Sequence, residues 1–381
     1  MRRRIISVLI VFILLLTACG NGNVNVEDPQ ETAQNTPQPS PTAVQPEQTP
    51  EQTPEATPSQ DPEVDPEVDP EEEVVPANPL TGLPMEEELI NDRPIAVMIN
   101  NLKAALPQQG VSQADVIYEV LAEGGITRMI AVYQSVDGVG KIGSVRSVRT
   151  YFLELVLGHD AVLLHAGGSP DSLDKIKEWG VTSLDSVSGP YEGSLFWRDS
   201  GRLAMMSREH TLVTSGKKIQ ELFPNYSFRK EHEEGYKYEV LFAENWIPEN
   251  GSDAMEITVP FSDYKTGVFQ YDQKSRKYLV EEFDSPYVDG NTGKQVSVTN
   301  VLILKTACSA IPGDDAGRIA VDLTQGDGWY ACGGKIIPIH WSKDGVNAPL
   351  VYTTQDGQPL TFAAGNSYVN IIPLEKEIVV K

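Results

Sequence analysis

Between residues 20 and 79 the chain holds thirteen of its 27 prolines and fourteen acids, without a single Lys or Arg. Thr-Pro and Gln-Pro steps lead into the near-repeat Asp61-Pro62-Glu63-Val64-Asp65-Pro66-Glu67-Val68-Asp69-Pro70. Such a stretch cannot bury enough apolar surface to offset the entropy of ordering it. Residues 20–77 are therefore expected to form a disordered, partly polyproline linker. As a coil it reaches about 40–50 Å, and in a wholly polyproline form about 190 Å. It reads equally as a tether that holds a domain away from a surface and as a generic solubilising linker. Any packed core must lie beyond it.

What precedes the linker reads as an export signal. Arg2, Arg3 and Arg4 form a basic start, and Ile5 to Leu16 are nearly all apolar. The run falls short of the roughly twenty residues that a transmembrane helix needs. Leu16-Thr17-Ala18-Cys19 matches a bacterial lipobox, in which small residues precede a cysteine that is acylated as the signal is cleaved. Residues 1–19 thus read as a signal peptide with its lipobox, cleaved so that the mature chain begins at lipidated Cys19. The mature chain would be held on the extracytoplasmic face of the cell membrane by a diacylglycerol on Cys19.

The formal net charge is −24. Setting aside the leader (+3) and the linker (−14) leaves −13 for residues 80–381. A broad basic face for nucleic acid is therefore not expected, and any anion site must be local. With Cys19 acylated, Cys308 and Cys332 remain, either as two free thiols or as a disulfide. A bridge would contribute about 3 kcal/mol in the loop-entropy model. There is no Cys-x-x-Cys and no histidine cluster, so neither a metal nor a cofactor is expected.

Beyond the linker, composition divides the chain into residues 78–235 and 236–381. The first part alternates apolar strand-like runs with helical stretches. Strands are expected at Pro94–Ile99, Asp115–Leu121, Thr127–Gln134, Lys141–Val148 and Asp160–His165. A helix is favoured over Tyr151–Leu157. Another begins with Ser169 as N-cap and Pro170 in the first turn, and a last one runs from about Thr214 to Phe223. This predicts an α/β domain. From about Tyr236 short β runs with polar turns take over, at 255–261, 267–271, 277–281, 296–305, 318–323, 335–341, 349–354 and 367–372. They predict a mostly β domain, a sandwich or a partial barrel.

Several stretches of the first part point to a family. They are Arg93-Pro94-Ile95-Ala96-Val97-Met98-Ile99-Asn100-Asn101, Ser112-Gln113-Ala114-Asp115-Val116-Ile117-Tyr118-Glu119 and Glu123-Gly124-Gly125-Ile126-Thr127-Arg128. Ile142-Gly143-Ser144-Val145-Arg146-Ser147-Val148-Arg149, His165-Ala166-Gly167-Gly168-Ser169 and Phe196-Trp197-Arg198-Asp199 continue the set. With them the chain resembles the YerB-like lipoproteins, defined by the N- and C-terminal parts of domain of unknown function 3048. The resemblance implies a lipoprotein with an α/β domain and a β-rich one, and it brings no activity. One departure stands at Met205-Met206-Ser207-Arg208-Glu209-His210, where the family tends to an Ala-Pro-His-Asn-like step; this weakens a site role for His210. A shorter stretch, Thr127–Val132 with Val145–Arg149, is similar to the LytR-CpsA-Psr phosphotransferases, whose arginines hold a polyprenyl pyrophosphate.

Three constellations are candidates for chemistry. Arg128, Arg146 and Arg149 offer the fixed forks that suit phosphate or carboxylate. Alternatively they pair with Asp115, Glu119 and Glu123. His165, Gly167, Gly168 and Ser169 open onto a helix start whose free N–H groups suit an anion, with His165 as an acid or base. The other reading is a tight capped turn with a core histidine. Trp197, Arg198 and Asp199, with His210, could stack on a sugar or simply lock a loop. Two functions follow. One is a non-catalytic envelope lipoprotein that binds an anionic cell-wall polymer or a partner protein. The other is a phosphotransferase-like enzyme using the arginines on a polyprenyl pyrophosphate.

Overall fold

The structure, a computed structural model, describes residues 75–381. The expected leader, the lipidation at Cys19 and all but the last residues of the linker lie outside them. Helices are few and strands many. The first half contributes β1 (Ile95–Asn101), β2 (Val116–Leu121), β3 (Thr127–Tyr133), β4 (Lys141–Gly143), α1 (Thr150–Gly158), β5 (Val162–His165), α2 (Pro170–Glu178) and β6 (Ser183–Asp185). Beyond these come β7 (Trp197–Arg198), β8 (Leu212–Ser215) and α3 (Gly216–Leu222). The second half contributes β9 (Glu256–Pro260), β10 (Thr266–Asp272), β11 (Lys277–Glu282), β12 (Asn300–Thr306), β13 (Gln325–Cys332), β14 (Lys335–Ser342) and β15 (Ser367–Pro373).

One mixed sheet of eleven strands organises the molecule, and it crosses residue 235. Its central order is β14-β13-β12-β15-β2-β3-β1-β5-β6. β15 lies parallel between β12 and β2, with Val116 opposite Ser367 and Glu119 opposite Asn370. A second, antiparallel sheet contains β9, β10 and β11. Both halves of the sequence therefore share the large sheet.

The central strands read as unbroken apolar runs because both of their faces are buried. Val97 and Ile99 of β1 join one core, with Ile257, Phe269 and Val280 of the second sheet. Ala96 and Met98 join the other, with Phe152, Leu155 and Val156 of α1. The large sheet is thus sandwiched between helices and a smaller sheet.

Two expectations are corrected locally. The strand predicted over Lys141–Val148 stops at Gly143, which adopts φ +154. A Cβ there would sit 2.8 Å from the carbonyl of Leu212, so only glycine fits and the chain leaves the strand. The helix after Ser169 forms as expected, with Pro170 in its first turn, but the Ser169 hydroxyl makes no capping bond. Of the two cysteine alternatives, the structure holds free thiols: Cys308 is half-buried, and Cys332 is buried with its Sγ against the carbonyl of Trp246. Among the described residues no helix is long and apolar enough to cross a membrane.

Candidate functional site

β1, β5 and β6 run parallel, and their carboxyl ends lie side by side at Asn100-Asn101, His165 and Asp185. That edge of a parallel sheet is where ligands usually sit. The segment Ser144–Val148 closes it. Asn100 N–H donates to Ser144 O (2.9 Å) and Arg146 N–H to Met98 O (2.9 Å). On the other side Ala166 N–H donates to Arg146 O (3.1 Å) and Val148 N–H to Gly167 O (3.1 Å). The segment thus brings Arg128, Arg146, Arg149 and the 165–169 turn together.

Arg128 and Arg149 converge on one carboxylate. Arg128 Nη2 lies 2.6 Å from Glu123 Oε1, and Arg149 donates to Glu123 through Nε (3.1 Å) and Nη2. Arg128 Nη1 also donates to Ser147 O (2.6 Å), and Ser147 Oγ to Ala166 O (2.8 Å), which ties the arginines to the histidine turn. Burial lowers Arg128 to about 10, helped by the charge of Arg149. Burial works to raise the Glu123 carboxyl, but the bonds from Arg149 and the charges of both arginines hold it below the usual range. Of the acids weighed as partners, only Glu123 takes this role. Asp115 instead accepts from Asn78 Nδ2 (3.0 Å) and Gln134 N (2.6 Å), and burial raises it to about 6. Arg146 differs from the other two: it is half-exposed and reaches only Glu209 (2.8 Å).

His165 is almost wholly enclosed. Its Nδ1 faces Gly167 O at 2.9 Å, and its Nε2 has no partner among the described residues. Burial lowers its pKa against the pull of Gly167 O and Asp185. Asp185 orders the turn by accepting from Gly167 N (2.6 Å), Val187 N (2.9 Å) and Ser188 Oγ (2.6 Å). Gly167 has φ +64, and a Cβ on Gly168 would lie 2.5 Å from Ser172 Oγ. The glycine pair therefore serves a close turn-to-helix packing.

His210 belongs to this edge despite the departure around it. Asn100 Nδ2 can only donate, so His210 Nδ1, 2.9 Å away, must be an unprotonated acceptor. Its Nε2 lies 3.7 Å from Glu209, and burial lowers its pKa. The rest of the third constellation sits apart, at the small sheet β4-β8-β7. Asp199 accepts from Lys141 Nζ (2.5 Å) and caps a short helix through Arg202 N (2.9 Å). Arg198 reaches Glu192 and the carbonyl of Arg208, and Trp197 is half-buried, so this group locks a loop.

Sequence reasoning missed a buried charge network next to the site. Glu119 on β2 accepts from Asn101 Nδ2 (2.8 Å), Thr127 Oγ1 (2.5 Å) and Tyr368 OH (2.6 Å). Lys265 Nζ lies 2.9 Å from Glu119 and also pairs with Glu282, all three being fully enclosed. Burial and the charge of Glu119 push Glu282 up to about 8. The network binds the two halves of the sequence through their charges. Lys265 stands in a polar turn, so nothing in its local sequence separates it from a solvated lysine.

The family models described as the N-terminal and C-terminal domains of a protein of unknown function, DUF3048, match residues 80–229 and 257–369. The chain is 31% identical over 305 residues to "Putative lipoprotein YerB" of Bacillus subtilis (strain 168), covering 77% of this chain and 86% of that protein. The crystal structure of YerB protein from Bacillus subtilis superposes with a TM-score of 0.69 at 30% identity, covering 80% of this chain and 99% of that one. The order of motifs, the shared fold and these matches agree: the chain belongs to the DUF3048 family of YerB-like proteins.

Proposed function

We propose that this protein is a lipid-anchored, non-catalytic binding protein of the bacterial envelope. Its recognition edge lies at the carboxyl ends of β1, β5 and β6 and takes an acidic group of a wall polymer or a partner protein. The observation that carries this reading is the shared engagement of Arg128 and Arg149 by Glu123. A pyrophosphate-handling enzyme needs convergent, uncommitted cations at the reacting phosphates. Here two of the three guanidiniums are already neutralised in part, and they brace the 144–148 segment. Arg146 remains at the surface with an exchangeable partner, Glu209, and is the residue placed to meet an external anion. The name of the Bacillus subtilis relative supports the anchor, with Cys19 as the attachment point.

Native mass spectrometry of the full chain, purified with envelope lipids and soluble wall fragments, tests this. The expected result is a retained acidic wall fragment that is lost in Arg146→Ala. A retained polyprenyl pyrophosphate that disappears in Arg128→Ala or Arg149→Ala would overturn the reading in favour of an enzyme.

A further inference from the structure

Two cations without an acid partner lie far along the sequence from the arginine edge. The turn between β10 and β11 carries Lys274, Ser275 and Arg276, and Lys277 opens β11. Together with Asn245, Trp246 and Thr299, Ser275, Arg276 and Lys277 line a cleft of about 200 Å³, whose remaining wall is Gly333, Ala363 and Ala364. No carboxylate lines it. Asp272, at the base of the turn, directs its carboxylate inward to Ser275 N (3.0 Å) and Ser275 Oγ (2.6 Å). Neither Arg276 nor Lys277 has an acid within ion-pair distance among the described residues. Most other cations of this acidic molecule have one.

The geometry holds the arginine over the cleft. Arg276 Nη1 donates to Asn245 Oδ1 (2.7 Å), which fixes one edge of the guanidinium and leaves its other donors free. Both residues adopt left-handed backbone, Arg276 at φ +56 and Asn245 at φ +54. Asparagine tolerates that conformation, whereas arginine is uncommon there and glycine would adopt it without strain. Trp246 is half-buried, with its ring against Tyr330 (centroids 5.7 Å), and it lines the cleft together with the two cations. A planar fork, a point charge, an indole face and small hydroxyls make a particular combination. It suits a phosphate joined to a compact polyhydroxylated ring.

We propose that this cleft binds a sugar phosphate, with Arg276 and Lys277 on the phosphate and Trp246 against the ring. The site is separate from the edge that carries Arg146 and stands whether or not that edge binds anything.

Isothermal titration of the full chain in detergent, with glucose 1-phosphate, glucose and inorganic phosphate as probes, tests the proposal. Saturable binding of glucose 1-phosphate is expected, with glucose and inorganic phosphate each at least tenfold weaker. Arg276→Gly and Lys277→Gln should each weaken glucose 1-phosphate at least tenfold. Arg276→Gly should do so without lowering the midpoint of thermal unfolding, because glycine suits φ +56. Arg146→Ala should leave the titration unchanged. Wild-type affinity in Arg276→Gly and Lys277→Gln, equal affinity for the three probes, or no saturable binding would each overturn the assignment. So would loss of binding in Arg146→Ala alone.

Discussion

At the scale of single residues, charge compensation decides what each candidate can do. Glu123 keeps two nearly enclosed arginines satisfied, so Glu123→Gln should lower stability by about 2–3 kcal/mol in denaturant titrations. Arg146→Ala removes only an exposed pair and should stay within about 1 kcal/mol of wild type. Glu282 yields a pH prediction. Its native pKa is raised to about 8 by burial and by Glu119, whereas an unfolded glutamate titrates near 4.5. Between those values the native state holds the extra proton, so this group's contribution falls as pH rises and is lost above about 8. The difference in unfolding free energy between wild type and Glu282→Gln, measured from pH 5 to 9, should therefore shift steadily against wild type across that window, and a pH-independent difference would contradict it. The Arg–Glu123 pairing was legible, since Glu123 stands among the acids beside Arg128 in the chain. The Lys265 network was not, because its partners lie 146 and 17 residues away in the numbering and the lysine sits in a turn of polar residues.

At the scale of elements, β1, β2 and β3 could be read from the sequence because apolar runs end abruptly at Asn100-Asn101 and Gly124-Gly125. The strands of the second half were equally legible one by one, through short runs and turn residues. Their arrangement was not. β15 pairs in parallel with β2, and no local pattern encodes a partner some 250 residues distant. The strand predicted over Lys141–Val148 failed for a related reason: a tertiary contact at Gly143 overrode a plausible β pattern. The shared sheet has a consequence for dissection. A fragment of residues 75–235 would leave the edge of β2 uncovered along its whole length. It should therefore lack the cooperative thermal transition of residues 75–381 when both are followed by circular dichroism.

At the scale of the whole molecule, the chain joins an acidic folded body to a candidate lipid anchor. The body's charge of −13 repels polyanions overall, so recognition of an acidic ligand must rest on a few local cations. Replacing Cys19 with Ala should abolish incorporation of labelled palmitate into the protein in growing cells, without changing the melting of its folded part. In the function proposed above the arginine edge binds rather than reacts, because Glu123 already occupies Arg128 and Arg149. The most direct measurement is phosphorus NMR of a polyprenyl-pyrophosphate-linked wall precursor incubated with the full chain and with an acceptor polymer. The pyrophosphate resonances should persist unchanged, while acidic wall fragments should bind in an Arg146-dependent manner. Consumption of the pyrophosphate by wild type, abolished by Arg128→Ala or Arg149→Ala in a protein that still folds, would contradict that function.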